Sequence, residues 1–170
     1  MCKKDIENTI KTLMNILNRD DLIYLAGFID GDGSILAQMV PRKDYVYRFQ
    51  IRLTIQITQH KKRRYHLEDI RQMIGYGTIR DRGNVSDYVL TETRCVYSFL
   101  KQLSPFLRLK KRQANLLIRI LEQLPSSKKS ATLFIELCQI VDQVAELNDS
   151  KSRTITAEIV ANELKQLKII

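Results

Sequence analysis

Residues 25–33 read Leu-Ala-Gly-Phe-Ile-Asp-Gly-Asp-Gly, an apolar stretch with small residues that ends in two carboxylates, and it occurs once in the 170-residue chain. Gly27 and Gly31 lie four apart, so on a helix they stack on one face and let a second helix approach at backbone distance. Asp32 follows just past that contact. A hard cation such as Mg²⁺ takes oxygen ligands, usually one or two carboxylates plus waters and substrate phosphates. One chain thus offers half of a two-metal site.

Upstream, Ile6, Ile10, Leu13, Met14 and Leu17 recur at helical spacing and predict a short amphipathic helix. Asp20 or Asp21 is then expected to cap a motif helix that runs to about Asp32 and stops at Gly33. Downstream the period changes to two. Ile35, Ala37 and Met39 alternate with Ser34, Leu36, Gln38 and Val40 until Pro41 to Asp44 break the pattern. Ile51, Leu53, Ile55 and Ile57 then alternate with Gln50, Arg52, Thr54, Gln56 and Thr58, which predicts a strand with one core face and one wet face. The wet face carries amides, hydroxyls and Arg, which match base edges in the major groove but also suit an ordinary half-buried strand.

A helix is expected from about Lys62 to Ile74, ending at Gly75. Two short strands follow, with Thr78, Arg80 and Arg82 sharing one face and Asp87, Val89 and Thr91 one face of the next, joined across Arg82-Gly83-Asn84. Helical periodicity covers Cys95 to Leu103, Phe106 to Leu124, Ala131 to Leu147 and Thr156 to Leu167, with Pro105 and Pro125 as boundaries. The order predicts an α+β fold around one twisted four-stranded antiparallel sheet. It reads as a single domain over 1–170, with an extension at 1–19, a core at 20–155 and a C-terminal helix at 156–170.

A hydrophobic content of 44% supports a real core, while 28 Lys+Arg against 19 Asp+Glu give a formal charge of +9 and favour a polyanionic partner. The charge is segregated. Arg42, Lys43, Arg48, Arg52, Lys61, Lys62, Arg63 and Arg64 face only Asp44 within their stretch, whereas 131–150 holds acids and no base. Cys2, Cys95 and Cys138 show no metal-ligand spacing and read as reduced structural thiols. No run approaches a membrane span, and Asp5, Glu7 and Asp20 oppose an import or signal peptide, so a protein working in an organelle is expected to be made there.

Three other readings of Asp30-Gly-Asp32-Gly33 can be weighed by counting. An EF-hand loop starting at Asp30 would put Ile35 where Gly is required and Pro41 where Glu is required. A dinucleotide fingerprint must open a helix, and here a strand follows. Two solvated aspartates at a helix end would oppose the macrodipole, a cost that suggests another use. His60 and His66 are the only histidines, and both read as phosphate-near or surface side chains on a basic segment, so no Ser, Cys or His triad is supported.

Leu25 to Gly33 resembles the LAGLIDADG homing-endonuclease motif, departing from it at Phe28 and Gly31. The likeness continues through Gln56-Ile-Thr-Gln59, Arg63-Arg64, Gly77-Thr-Ile-Arg-Asp-Arg-Gly-Asn-Val-Ser-Asp-Tyr88, Pro105-Phe-Leu-Arg-Leu-Lys110, Gln113-Ala-Asn115 and Asn148-Asp-Ser-Lys151. It covers about Leu22 to Thr154 and is similar to the single-motif group typified by I-CreI.

The resemblance implies an αββαββα fold, a homodimer through Leu25, Gly27, Phe28 and Gly31 of paired motif helices, and Mg²⁺-dependent, site-specific double-strand cleavage of DNA at a long pseudo-palindromic site. It implies Asp32 and the Gly31 carbonyl as metal ligands, with Mn²⁺ or Ca²⁺ able to occupy the same site. Gln59, Arg63 and Lys110 would join Asp32 around the scissile phosphate. Gln38, Arg42, Asp44, Tyr45, Gln50, Arg52, Gln56, Arg80, Arg82 and Asp87 match DNA readers, and Ser150 and Lys151 match backbone contacts. Val40 and Thr154 stand where the typical relative has lysines. An intron-encoded enzyme of this kind would work in the organelle that carries the intron, a chloroplast first and a mitochondrion second, with no membrane partner. Two rivals share the fold: an RNA-binding splicing cofactor, which would need none of Asp32, Gln59 and Lys110, and a DNA-binding repressor, which would lose Asp32.

Overall fold

The structure is a computed structural model that describes residues 15–149 and 154–170. The helix expected over Ile6 to Leu17 therefore lies largely outside the described residues, as do Cys2, Ser150 and Lys151. Helix α1 spans Arg19–Asp32. Its N-cap is Asn18, whose side chain accepts the Asp21 backbone N–H at 2.8 Å, so the expected cap at Asp20 or Asp21 is corrected. Those two acids occupy the first turn instead, where carboxylates favour the positive end of the helix dipole. Gly33 ends α1 by donating its N–H to the Ile29 carbonyl. A Cβ at Gly33 would lie 2.8 Å from the Ile29 Cα, so only glycine lets a strand begin at this point.

Strand β1 spans Gly33–Pro41 and buries Ile35, Ala37 and Met39; strand β2 spans Phe49–His60 and buries Ile51, Leu53, Ile55 and Ile57. Thr54 departs from the wet-face expectation, being only 7% exposed. A short 3₁₀ turn at Lys61–Arg63 leads into α2, Arg64–Ile74, which closes on Gly75 in the left-handed conformation at φ 80°. Strands β3, Thr78–Arg82, and β4, Val85–Leu90, form the expected hairpin, with Gly83 at φ 58° in its turn. The sheet order is β1-β2-β4-β3.

Helix α3 spans Thr93–Leu103, α4 Lys111–Ser127, α5 Ala131–Glu146 and α6 Ala157–Gln166. Two boundaries are corrected. The helix expected from Phe106 begins only at Lys111, because the backbone N–H groups of Arg108 and Lys110 bond the Asp30 carboxylate. Pro125 lies inside the last turn of α4 rather than at its boundary.

The chain divides into two compact units, Met1–Ile35 with Thr54–Ala114, and Leu36–Leu53 with Asn115–Ile170. The first has a core of Leu25, Ile29, Ile55, Ile57, Leu67 and Phe99, all fully buried. Each such side chain contributes roughly 1.5–3 kcal/mol of transfer free energy. In the second, Tyr47 packs on Phe134 at a ring separation of 4.8 Å, and Asp142 of α5 accepts the Ala157 N–H at the start of α6. Cys95 and Cys138 are free, buried thiols, and burial pushes each up to about 12. They pack as small hydrophobes, as their spacing suggests. Among the described residues no helix is long and apolar enough to cross a membrane.

Candidate active site and nucleic-acid interface

Three of the four candidate catalytic side chains form a continuous hydrogen-bonded chain. Gln59, near the end of β2, donates its amide to Asp32 Oδ2 at 2.8 Å and accepts from Arg63 Nη1 at 3.3 Å. Gln59 is 7% exposed, whereas Asp32 and Arg63 reach solvent. Burial fixes the amide, so it orients two exposed ionic groups toward one another. His60 assists as a cap, its Nδ1 accepting the Lys62 N–H at 3.2 Å and holding the tight turn that aims Arg63. His66 bonds the Tyr24 hydroxyl at 2.7 Å. Both histidines thus have structural partners.

Lys110, the fourth candidate, is held by Asp30, a residue to which sequence reasoning assigned no role. Its backbone N–H donates to Asp30 Oδ1 at 2.9 Å, its Nζ donates to the Asp30 carbonyl at 2.6 Å, and the Arg108 N–H donates to Asp30 Oδ2 at 2.7 Å. Burial pushes the Asp30 carboxyl up, but the N–H groups of Arg108, Lys110 and Leu109 and the Lys110 charge outweigh it and hold the acid below the usual carboxylate value. These contacts also offset the expected cost of an acid at a helix C-terminus, since a cation sits on the helix-end carbonyl.

Asp32 Oδ1 makes no hydrogen bond among the described residues, and the Gly31 carbonyl lies in the last turn of α1, where an α-helix leaves carbonyls without intrahelical partners. An exposed carboxylate oxygen and a backbone carbonyl are the hard donors that Mg²⁺, Mn²⁺ or Ca²⁺ prefer. No group of three or more His, Cys, Asp or Glu able to hold a metal occurs among the described residues. The donor set therefore fits a cation shared with other ligands and falls short of a self-contained metal cage.

The motif helix has one open face. A Cβ built on Gly27 or Gly31 would meet nothing within 4 Å among the described residues, and Ile23 and Tyr24 beside them are 46% and 45% exposed. Phe28 borders this face, its ring 6.1 Å from Tyr24 and 5.1 Å from His66. Leu25 is a correction: it is 0% exposed, because two residues along a helix turn its side chain away from Gly27 and into the chain's own core.

In the first unit the register sets Thr58 and Arg80 opposite Asp87, and Gln56 and Thr78 opposite Val89, while Thr91, expected on the same face, lies beyond the end of β4 at Leu90. Asp87 lies on that face but is covered by its neighbours. It is 7% exposed and accepts from Thr58 Oγ1 at 2.5 Å, Gln56 Nε2 at 3.1 Å and Arg82 Nε at 3.3 Å. Burial raises its carboxyl, but those three donors prevail and hold it below the ordinary value. Arg80 and Arg82 are exposed. In the second unit Gln38, Arg42, Asp44, Tyr45 and Arg52 are exposed and Gln50 is half-buried. Arg42 forks onto Asp44 through Nε and Nη2, both at 3.0 Å, and lies 5.4 Å from the Tyr45 ring.

A model of the LAGLIDADG endonuclease family matches residues 25–117. DNA endonuclease I-CreI of Chlamydomonas reinhardtii is 52% identical over 150 residues, covering 88% of this chain and 92% of that protein. DNA endonuclease I-CvuI of Chlorella vulgaris is 39% identical over 145 residues, covering 85% and 89%. A crystal structure of I-CvuI with an uncleaved I-CreI target in 2 mM Mg superposes with a TM-score of 0.85 at 36% identity, covering 90% of this chain and 99% of that one.

Proposed function

This chain belongs to the LAGLIDADG endonuclease family, and from that premise we propose that it cuts both strands of a specific DNA site as a homodimer, using Mg²⁺. It is a site-specific DNA endonuclease that hydrolyses phosphodiester bonds. The observation that carries the reading is the Arg63–Gln59–Asp32 hydrogen-bonded chain at the foot of the motif helix. Relatives of known structure were solved with DNA and Mg or Ca, which supports divalent-metal dependence.

Phosphodiester hydrolysis needs an attacking water, positive charge against the developing phosphorane and in-line geometry, and it needs no covalent protein nucleophile. Asp32 and the Gly31 carbonyl would hold the cation, which supplies Lewis acidity and a water of lowered pKa. Gln59 holds the Asp32 carboxylate in orientation. Arg63 and Lys110 bring cationic charge to the phosphate. One chain carries one Asp32, and a duplex has two strands, so two copies joined across Gly27 and Gly31 supply a pair of sites. Gln38, Arg42, Asp44, Tyr45, Gln50, Arg52, Gln56, Arg80 and Arg82 carry the donors and acceptors for base readout. Asp87 acts through Arg82 and Gln56.

The test is incubation with a randomised duplex library in Mg²⁺ or in EDTA, followed by sequencing of the ends. Ends that converge on one long, nearly palindromic site only in Mg²⁺ are the expected result. Metal-independent ends, or ends scattered over unrelated sequences, would overturn it.

A further inference from the structure

We propose that Asp30 is the positioning residue for Lys110, so that the two aspartates of one motif divide the labour: Asp32 toward the metal, Asp30 toward the cation that meets the phosphate. The proposal rests on the reading of Lys110 given above. Two residues along a helix turn a side chain by about 200°, which sends the two carboxylates in opposite directions. Asp32 meets Gln59 of β2, and Asp30 meets the loop between α3 and α4.

The clamp has three parts that act together. The two carboxylate oxygens of Asp30 take one backbone N–H each, from Arg108 and from Lys110, at 2.7 and 2.9 Å. That fixes the backbone from which the Lys110 side chain starts. The ammonium then rests on the Asp30 carbonyl at 2.6 Å. An ammonium has three donors, so this contact leaves others for a phosphate oxygen. The same residue therefore sets both ends of the Lys110 side chain relative to Asp32, two positions on. Phe106 to Lys110 would otherwise be free to continue the helical periodicity of its sequence; the carboxylate holds this segment out of α4.

Asp30→Asn tests this without changing side-chain size. An amide has one oxygen, so one of the two N–H groups would face an NH₂ and the loop would loosen. In the metal-free and DNA-free protein, trypsin should cut after Arg108 or Lys110 about ten-fold faster, with the melting temperature little changed. Single-turnover cleavage of pre-bound target in Mg²⁺ should slow about 10–100-fold, while target affinity stays within a few-fold. The double variant Asp30→Asn/Lys110→Gln should be no slower than Lys110→Gln alone. Asp30→Glu, which keeps the charge one methylene away, should fall between the parent and Asp30→Asn and serves if the latter fails to fold.

Parent-like trypsin resistance in Asp30→Asn, or rate losses that multiply in the double variant, would overturn the proposal while leaving Lys110 in its role. Parent-like cleavage by Lys110→Gln would instead overturn the reading of Lys110 itself, and the proposal with it.

Discussion

Gln59 donates its side-chain amide to Asp32 Oδ2 at 2.8 Å across 27 residues of sequence, and it joins the end of the motif helix to the end of β2. A buried amide holding an exposed carboxylate keeps one oxygen pinned and the other open. This is the arrangement a shared cation needs from a single chain.

Asp32→Asn should therefore abolish Mg²⁺-dependent cleavage and leave the fold intact. The asparagine Oδ1 can still accept from Gln59, and the position is exposed, so stability should change by no more than about 0.5 kcal/mol. Target binding, read by gel shift, should stay within a few-fold of the parent, and less repulsion from phosphate can tighten it. Persistent cutting in Mg²⁺ would remove Asp32 from the metal site.

Gly27 offers a separate test, because nothing among the described residues lies within 4 Å of its missing Cβ. In an isolated helix, replacing glycine by alanine adds about 1 kcal/mol of stability. If α1 pairs with its copy at backbone distance, the sign reverses: Gly27→Leu should dissociate the dimer at micromolar concentration and end double-strand cutting. Sedimentation velocity decides it. A parent protein that runs as a monomer and still cuts both strands would refute pairing through this face.

Much of this geometry was legible because period-two alternation is a strong signal. The residues Ile35, Ala37 and Met39, and likewise Ile51, Ile55 and Ile57, are buried as the pattern predicts. Gly75 and Gly83 mark a helix stop and a turn in the left-handed region, and Gly33 a helix stop where a Cβ would strike the Ile29 Cα. What was not legible depends on contacts distant in sequence. The start of α4 lies later than the pattern predicts because Phe106 and Leu109 fit helical spacing, while the Asp30 carboxylate that takes the N–H groups of Arg108 and Lys110 lies 78 residues away from Arg108. The motif groups Leu25 with Gly27, Phe28 and Gly31, although helical geometry sends it to the core. The burial of Asp87 follows from three donors on the two strands that flank β4, Gln56 and Thr58 on β2 and Arg82 on β3, which no single segment reveals.

Acid should erode stability through Asp30 and Asp87. Both carboxyls sit below their ordinary value in the folded chain. Such groups bind fewer protons folded than unfolded, so their contribution is complete above the unfolded value of about 4 and is lost as pH falls through the lower folded value. The urea midpoint should be nearly flat from pH 7 to about 5 and fall below about 4. The gap between the parent and Asp87→Asn should shrink on the same descent, as the parent's carboxyl takes up its proton. A gap that widens in acid would contradict the assignment.

Readout and anchoring should fail in different ways. Arg82 is exposed and is steadied by Asp87, so its guanidinium can present a bidentate fork to guanine O6 and N7. Arg82→Ala should cost about 1–3 kcal/mol at its own base pair and relax preference there, with other positions unchanged. Asp87→Asn, which weakens the support without touching DNA, should blur the same base pair less severely. Lys62 lies exposed in the turn before α2, among four other basic or titratable residues from His60 to Arg64. Lys62→Ala should weaken all sequences alike and reduce the slope of log K against log salt by roughly one unit per lost phosphate contact, two per dimer. A cleavage profile over every single-base variant of the target, taken at two salt concentrations, separates the cases. Unchanged base preference in Arg82→Ala would show that this face of the sheet does not read sequence.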